Sequence, residues 1–427
     1  MATAAKAPAR EFEQLAWETH DAPHRWDVTP PEIYVEDRWQ EVFAEMRAKA
    51  PINKVNNSDF GSYWNITTHK VIQHVEALPD IFSSSFEYGG ISLAPMNEQA
   101  LDDPNRVIMP MFIAMDRPKH TEERRVVAPA FTPTEMERMT ADIRRRTGEV
   151  LDSLPVGEAF DWVDKLSIEL TTQMLAILFD FPWEDRRKLT EWSDYAGNIE
   201  MFRDPKSRQK RLEKVYEMGA YFKRLWDERL KKDEAPDLIS RMIHSTMKDM
   251  DEMEYMGNLI LLIVGGNDTT RNTMSGYAFG LNKFPEERAK LEQNPDLIPN
   301  AVSEIIRWQT PLAHMRRTAL EDYDLFGAPI KKGDRIAMWY LSANRDESVF
   351  DRADEIIVDR ENARRNLSFG YGIHRCVGAR LAELQIRVLL EEMAARRLRV
   401  NVLEEPERVP ACFVHGYRKM VVEFSQY

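Results

Sequence analysis

The sequence predicts a single, mainly α-helical domain carrying small β-sheets. Three observations point there. Long stretches carry apolar residues at helical spacing among good helix formers: 133–153, 160–179, 183–231, 250–282, 285–293, 297–309 and 377–397. Strand-like pieces are few and short, at 62–67, 335–340, 398–402 and 420–424. No repeat, low-complexity tract or Pro/Gly/Ser-rich linker divides the 427 residues. In chain order, residues 1–30 read as an irregular N-terminal arm and 31–427 as one body. Residues 83–110 mix Gly, Pro, Asn and Asp and read as a long loop, a length that usually serves function.

Composition narrows the class. A hydrophobic content of 43% with 30% charged residues describes an ordinary globular chain, long enough to bury a core without disulfides. The net charge of −13 argues against nucleic acid as a partner. The two cysteines, Cys376 and Cys412, form no disulfide framework and suit a reducing compartment. The N-terminus lacks a secretory apolar region. The most apolar run, 259–264, is far short of the roughly 20 residues of a membrane span. The expectation is a soluble, unanchored protein of a bacterial cytoplasm.

The stretch FGYGIHRCVG, residues 369–378, places a rare cysteine among glycines. The helical pattern that follows puts Cys376 just before a helix N-terminus, where free N–H groups and the macrodipole favour a thiolate. Gly370, Gly372 and Gly378 permit tight turns and close approach of something flat. Locally, a thiolate offered to a ligand and a nucleophilic cysteine paired with His374, as in a hydrolase or transferase, remain equally open. Zinc is disfavoured, because one Cys–His pair supplies too few ligands. Covalent haem attachment would need C-x-x-C-H, which is absent.

Further along the chain, Gly265-Gly266-Asn267-Asp268-Thr269-Thr270 interrupts an apolar helix with poor helix formers and a carboxylate. Glu304 and Arg307 stand at i, i+3. His120 and Arg124 stand at i, i+4, directly after Asp116-Arg-Pro-Lys. Taken together, the order of these elements resembles the cytochrome P450 superfamily. Its haem-binding signature is similar to Phe369, Gly372, His374, Cys376 and Gly378, and its oxygen-side helix element is similar to GGNDTT. The resemblance covers nearly the whole chain and implies a cytochrome P450 fold and a haem-thiolate monooxygenase. It implies haem b (iron protoporphyrin IX) with Cys376 as axial iron ligand, favouring O–O cleavage. His120, Arg124, Arg317 and His374 would hold propionates, and Phe369 would shield the sulfur. Gly265 would open a groove over the haem, and Asp268 and Thr269 would relay protons toward oxygen. Glu304, Arg307 and Arg360 would form the structural E-x-x-R…R lock. One departure is Phe350-Asp-Arg-Ala353, where the family usually has a proline, which touches only the local turn.

Residues 360–399 hold nine arginines, no lysine and four acidic residues, suggesting a basic face for an acidic electron donor. With no flavin or nicotinamide domain recognised, electrons are expected from NAD(P)H through a ferredoxin reductase and a [2Fe-2S] ferredoxin. Phe86, Ile91, Leu93, Leu259, Leu262, Val264, Leu312, Met315, Phe413 and Val414 are candidate pocket residues for an apolar ligand. Residues 305–322, 266–272 and 413–417 resemble the bacterial branch that hydroxylates the terminal carbon of medium-chain alkanes or fatty acids. A terpene or another apolar molecule is the alternative substrate.

Overall fold

The computed structural model describes residues 13–94, 109–202 and 204–427. Its spine is the helix Glu252–Lys283. Asp251 caps it by accepting from Glu254 N (2.9 Å), and Glu252 and Glu254 lie in its first turn, where acidic groups suit the dipole. At 1.5 Å per residue it runs about 48 Å. Its middle is buried by the helices Glu169–Phe179, Arg187–Ala196, Ile298–Gln309 and Ala379–Ala395 packed around it. The last of these follows the cysteine loop, so loop and central helix share one packed core.

A six-stranded sheet flanks the helices. Its order is Trp17–Asp21, Ile52–Ser58, Gly61–Ile66, Arg335–Trp339, His314–Ala319 and Phe82–Ser83. A three-stranded sheet joins Leu398–Val402, Val421–Gln426 and Ala159–Asp161. The architecture is the expected one: mainly helix, small sheets, one domain. Several boundaries differ, each for a local reason. The expected irregular arm at 1–30 contributes, in its described part, an edge strand paired parallel with Ile52–Ser58, and Trp26 and Val28 enter the core. The expected helix 160–179 begins as a strand, because Asp161 accepts from Met420 N (3.1 Å) while its segment pairs with 421–423. The expected helix 183–231 breaks into Arg187–Ala196 and Pro205–Arg229. Gly197 ends the first, and Asp204 with Pro205 starts the second by accepting from Ser207 N (2.9 Å). Of the expected loop 83–110, residues 86–88 form a 3-10 turn, while 95–108 lie outside the described residues.

The deepest polar feature is the ion triad of Glu304, Arg307 and Arg360. Arg307 donates twice to Glu304 (both 2.8 Å), and Arg360 Nε donates to the same carboxylate (2.9 Å), as does Ile357 N (2.9 Å). Burial alone would raise the Glu304 pKa; hydrogen bonds and charge from Arg307 and Arg360 outweigh it and hold the carboxyl below its ordinary value. Arg307 also donates to the carbonyls of Asn344 (2.7 Å), Ala353 (2.7 Å) and Glu355 (2.8 Å). Arg360 reaches Asp351 O and Arg352 O. The turn at 350–353, where the resemblance implies a proline, is held by guanidinium groups. Removing one partner of a buried pair strands the others, at a cost of about 3–5 kcal/mol. Glu304→Gln should therefore lower the thermal midpoint sharply and reduce haem retained on purification, while Glu355→Gln, altering only a half-exposed side chain, should change neither.

Candidate functional site

The cysteine loop is a tight turn suspended from the triad. Asn344, whose carbonyl Arg307 holds, accepts from Leu367 N (2.7 Å) and donates to Ser368 Oγ (2.9 Å). Cys376 N then donates to Phe369 O (2.8 Å), closing the turn. Gly372 has φ +67°, and a Cβ there would stand 2.4 Å from Glu76 O, so both its conformation and its surroundings demand glycine. Cys376 lies two residues before Gly378, the N-cap of Ala379–Ala395, as the sequence predicts. The thiol is accessible, yet enclosing protein pushes its pKa up, against the opposing pull of Gly378 N–H, Arg124, Arg375 and Ala379 N–H. Accessible and enclosed together mean that the sulfur faces an internal cavity. The thiolate expected from helix position alone is outweighed by burial and calls for a cation on the sulfur.

Beside it lies a cluster of cations. His120 and His374 lie 4.2 Å apart between ring centroids with their planes tilted by 50°, and all four of their ring nitrogens are buried without a hydrogen-bond partner. Burial, then Arg124, Arg117 and Arg317, push His120 down to about 4, and burial with Arg317, His120, Arg124 and Arg117 lowers His374 strongly. Burial also lowers Arg124, with Arg375 acting the same way and the nearby Cys376 opposing. Orphaned imidazole nitrogens and crowded guanidinium groups around one space need an anionic ligand. The donors suit two carboxylates on the edge of a flat group whose centre meets Cys376. The residues present fit haem b: Cys376 could hold its iron, and His120, Arg124, Arg317 and His374 its propionates. The nucleophile reading finds no support, because neither nitrogen of His374 bonds the thiol.

One acidic member of this cluster has no signal in the sequence. Glu76, at the end of His69–Glu76, is buried 3.4 Å from Arg317, accepts from Tyr340 Oη (2.7 Å) and from Tyr371 N (2.9 Å) in the cysteine loop. Burial pushes its pKa up to about 7, with Arg317, Tyr340 and Tyr371 N–H pulling it back.

The second motif lies on the central helix. Gly265 is exposed although its neighbours are packed, and a Cβ on it would meet nothing within 4 Å. Thr269, one turn on, donates to Gly265 O (2.9 Å) without breaking the helix. Asp268 turns elsewhere. It is buried, accepts from Ser193 Oγ (2.9 Å) and Asn267 Nδ2 (3.2 Å), and pairs with Arg271 (3.2 Å), which also holds Asp194 (2.6 Å). Burial raises the Asp268 pKa against Arg271, with Asp194 adding to the rise. Among the described residues no direct hydrogen bond joins Asp268 to Thr269. Ser193 and Arg271 were not foreseen, although the i, i+3 spacing of Asp268 and Arg271 was a visible signal.

The expected pocket residues divide. Ile91 packs in a small apolar cluster with Met111 and Ala114, against which Phe86, Leu261 and Met315 lie half-buried. Leu312 and Phe413 are also half-buried, and Leu312 bridges Val414. Leu93 instead packs in the core cluster around Trp26 and Trp339, and Leu259 and Leu262 in the helical core. Val264 is half-buried against that core, where a Cβ on Gly197 would meet it. On the outer side of the cysteine loop Arg364, Arg365, Arg375 and Arg380 are exposed and, among the described residues, carry no ion pair. Others of the arginine-rich stretch are ion-paired within the chain, Arg360 with Glu304 in the interior and Arg396 with Asp152 and Arg399 with Glu292 nearer the surface.

Known proteins share this fold. Residues 98–410 match the family model for Cytochrome P450. Linalool 8-monooxygenase of Pseudomonas putida is 33% identical over 405 residues, covering 93% of this chain and 98% of that protein. Cytochrome P450-153 from Novosphingobium aromaticivorans is 60% identical with a TM-score of 0.90, covering 94% of this chain and all of that one. CYP153D17 from a Sphingomonas species is 65% identical, also with a TM-score of 0.90, covering 94% and 99%. The fold, the cysteine loop and these likenesses agree, and the chain belongs to the cytochrome P450 family of haem monooxygenases.

Proposed function

We propose that this monooxygenase hydroxylates the terminal (omega) carbon of medium-chain alkanes or fatty acids. The observation that carries the reading is the all-apolar wall of Phe86, Ile91, Leu261 and Met315. Leu261 lies one turn from the exposed Gly265 on the same helix face, so the wall continues toward the open side of the central helix. A terminal C–H bond is stronger than its neighbours, so selectivity has to come from geometry that admits only the chain end. The 60–65% identity to the two CYP153 structures supports the same branch. The 33% identity to a linalool 8-monooxygenase keeps a terpene as the second reading.

Haem b, when bound, supplies O2 activation and transfer of one oxygen atom into a C–H bond. The chain's own residues do the rest. Cys376 would ligate its iron, with the Gly378 and Ala379 N–H groups directed at its sulfur. His120, Arg124, Arg317 and His374 neutralise the propionates. Thr269 Oγ1 carries a hydroxyl proton beside Gly265, and Asp268 behind it is the carboxylate that accepts from Ser193, Asn267 and Arg271. Transfer between them needs a bridging water or a rotation of Asp268 away from Ser193. Arg364, Arg365, Arg375 and Arg380 form the docking face for an acidic [2Fe-2S] ferredoxin, reduced by NAD(P)H through its reductase, in the bacterial cytoplasm.

Three measurements test this. Reduced, CO-treated holoprotein should show the strongly red-shifted Soret band of thiolate ligation, and haem-replete protein without it would refute Cys376 as ligand. A panel of linear alkanes, fatty acids and terpenes should give the largest spin-state shift with a linear chain, and the product should carry its hydroxyl at the terminal carbon. Thr269→Ala should raise hydrogen peroxide released per NAD(P)H consumed several-fold while binding is kept; unchanged coupling would remove its role. Separately, Arg375→Glu with Arg380→Glu should raise the KM for ferredoxin and flatten the salt dependence of turnover, leaving the CO band intact. An unchanged KM would place the donor elsewhere.

A further inference from the structure

His314 is wholly buried at the start of the strand His314–Ala319, flanked by the half-buried Leu312 and Met315. Its two ring nitrogens face opposite segments. Nε2 stands 3.3 Å from Leu93 N, and Nδ1 stands 2.9 Å from Cys412 O. A backbone N–H can only donate and a carbonyl can only accept, so a single neutral tautomer, protonated on Nδ1, satisfies both. Burial agrees: outweighing the Cys412 hydrogen bond, and joined by Arg316, it takes the ring down to about 4. The ring is clamped between Trp339 (4.6 Å between centroids) and Phe413 (5.3 Å), and Trp339 is itself tied to Asn65 Oδ1 (2.7 Å).

What the imidazole joins gives it consequence. Leu93 follows Ile91, whose carbonyl accepts from Arg316 N (2.7 Å). Cys412 precedes Phe413, whose carbonyl accepts from Ala313 N (2.8 Å), and Leu312 bridges Val414. Three chain segments distant in sequence thus meet at one side chain, and each presents apolar residues beside it: Ile91, Leu312 with Met315, and Phe413. Strand alternation puts Met315 on the face opposite His314. The imidazole therefore stands behind the wall with Phe413, which packs on it and on the core around Trp26 and Trp339, while Ile91 and Met315 of the segments it aligns form the wall.

We infer that His314 is a positioning residue for specificity, holding the 91–93 and 412–414 segments against the strand bearing Leu312 and Met315 and so setting the width of the apolar channel. The inference deepens the substrate reading above and rests on it for the product scored. A linear chain narrower than the relaxed channel could then present an internal carbon as well as its end. Phenylalanine at this position keeps the ring packing and removes both hydrogen bonds, whereas glutamine can reach Leu93 N–H with Oε1.

The test compares wild type with His314→Phe and His314→Gln as holoproteins, using a linear alkane and a linear fatty acid. His314→Phe should keep the red-shifted CO band and lower the terminal-to-subterminal product ratio about five-fold, the effect of about one net hydrogen bond. It should also weaken the substrate-induced spin-state shift, and His314→Gln should recover part of both. An unchanged product ratio and spin-state titration in His314→Phe, with a normal CO band, would overturn the inference. If His314→Phe fails to fold, His314→Gln against His314→Asn carries the test, because the shorter amide should regain less of the ratio; equal ratios would overturn it. Should wild type hydroxylate a terpene and no linear chain, the terminal reading falls. His314 is then scored on that terpene by product position and spin-state titration, and unchanged values would refute its role independently.

Discussion

The site depends on one buried carboxylate. Residues 344–378 form almost no regular structure, so their backbone carbonyls have few partners of their own. Glu304 allows two arginines to be buried among them, and the guanidinium donors left over satisfy carbonyls from Asn344 to Glu355. Asn344 passes that order to Leu367 and Ser368, and the closing bond from Cys376 N to Phe369 O passes it to the sulfur. A loop free to move would let the thiol withdraw from the cavity. A triad whose every member is bonded leaves it one position, which is the best use of a buried ion pair.

The same region carries a second, unbalanced set of charges. Burial first, and then the charges of Arg117, Arg124 and Arg317, lower the pKa of both imidazoles, His120 and His374. Among the described residues Glu76 is the acid in contact with this group, and it engages Arg317 from the side of the cysteine loop. The cluster remains short of negative charge until a dianionic ligand enters. Binding of a group with two carboxylates is thus favoured by relief of repulsion as well as by new hydrogen bonds. Glu76 also explains the glycines: its carbonyl lies where a side chain at Gly372 would stand.

Much of this was legible in the sequence where function depends on local spacing. The cysteine before a helix, His120 with Arg124 at i, i+4 and Glu304 with Arg307 at i, i+3 are one-turn relationships, and all took their expected places. What stayed hidden depends on distant pairing. The strand Trp17–Asp21 exists because Ile52–Ser58 offers it an edge, which nothing in its own residues announces. Glu76 reads as one more surface glutamate until the fold carries it to Tyr371, far along the chain. Leu93 looked like a pocket residue for its loop position, but its neighbours Trp26 and Trp339 draw it into the core. Gly197 gave no signal within the expected helix 183–231; its missing side chain is where Val264 and Asp268 fit.

The central helix shows why adjacency misleads. Successive residues of an α-helix point about 100° apart, so Asp268 and Thr269 cannot share a direction. The structure sorts the motif by turns instead. Leu261, Gly265 and Thr269 succeed one another at i+4 along the cavity side, apolar where substrate would lie and open where oxygen would. Val264 and Asp268, also at i+4, face Gly197 and Ser193 on the neighbouring helix. A mid-helix carboxylate is tolerated there because Arg271, Ser193 and Asn267 satisfy it, at a distance from the reacting face. GGNDTT is therefore two short motifs interleaved, one that makes room and one that ties a carboxylate to the neighbouring helix. Whatever joins their work must cross from one face of the helix to the other.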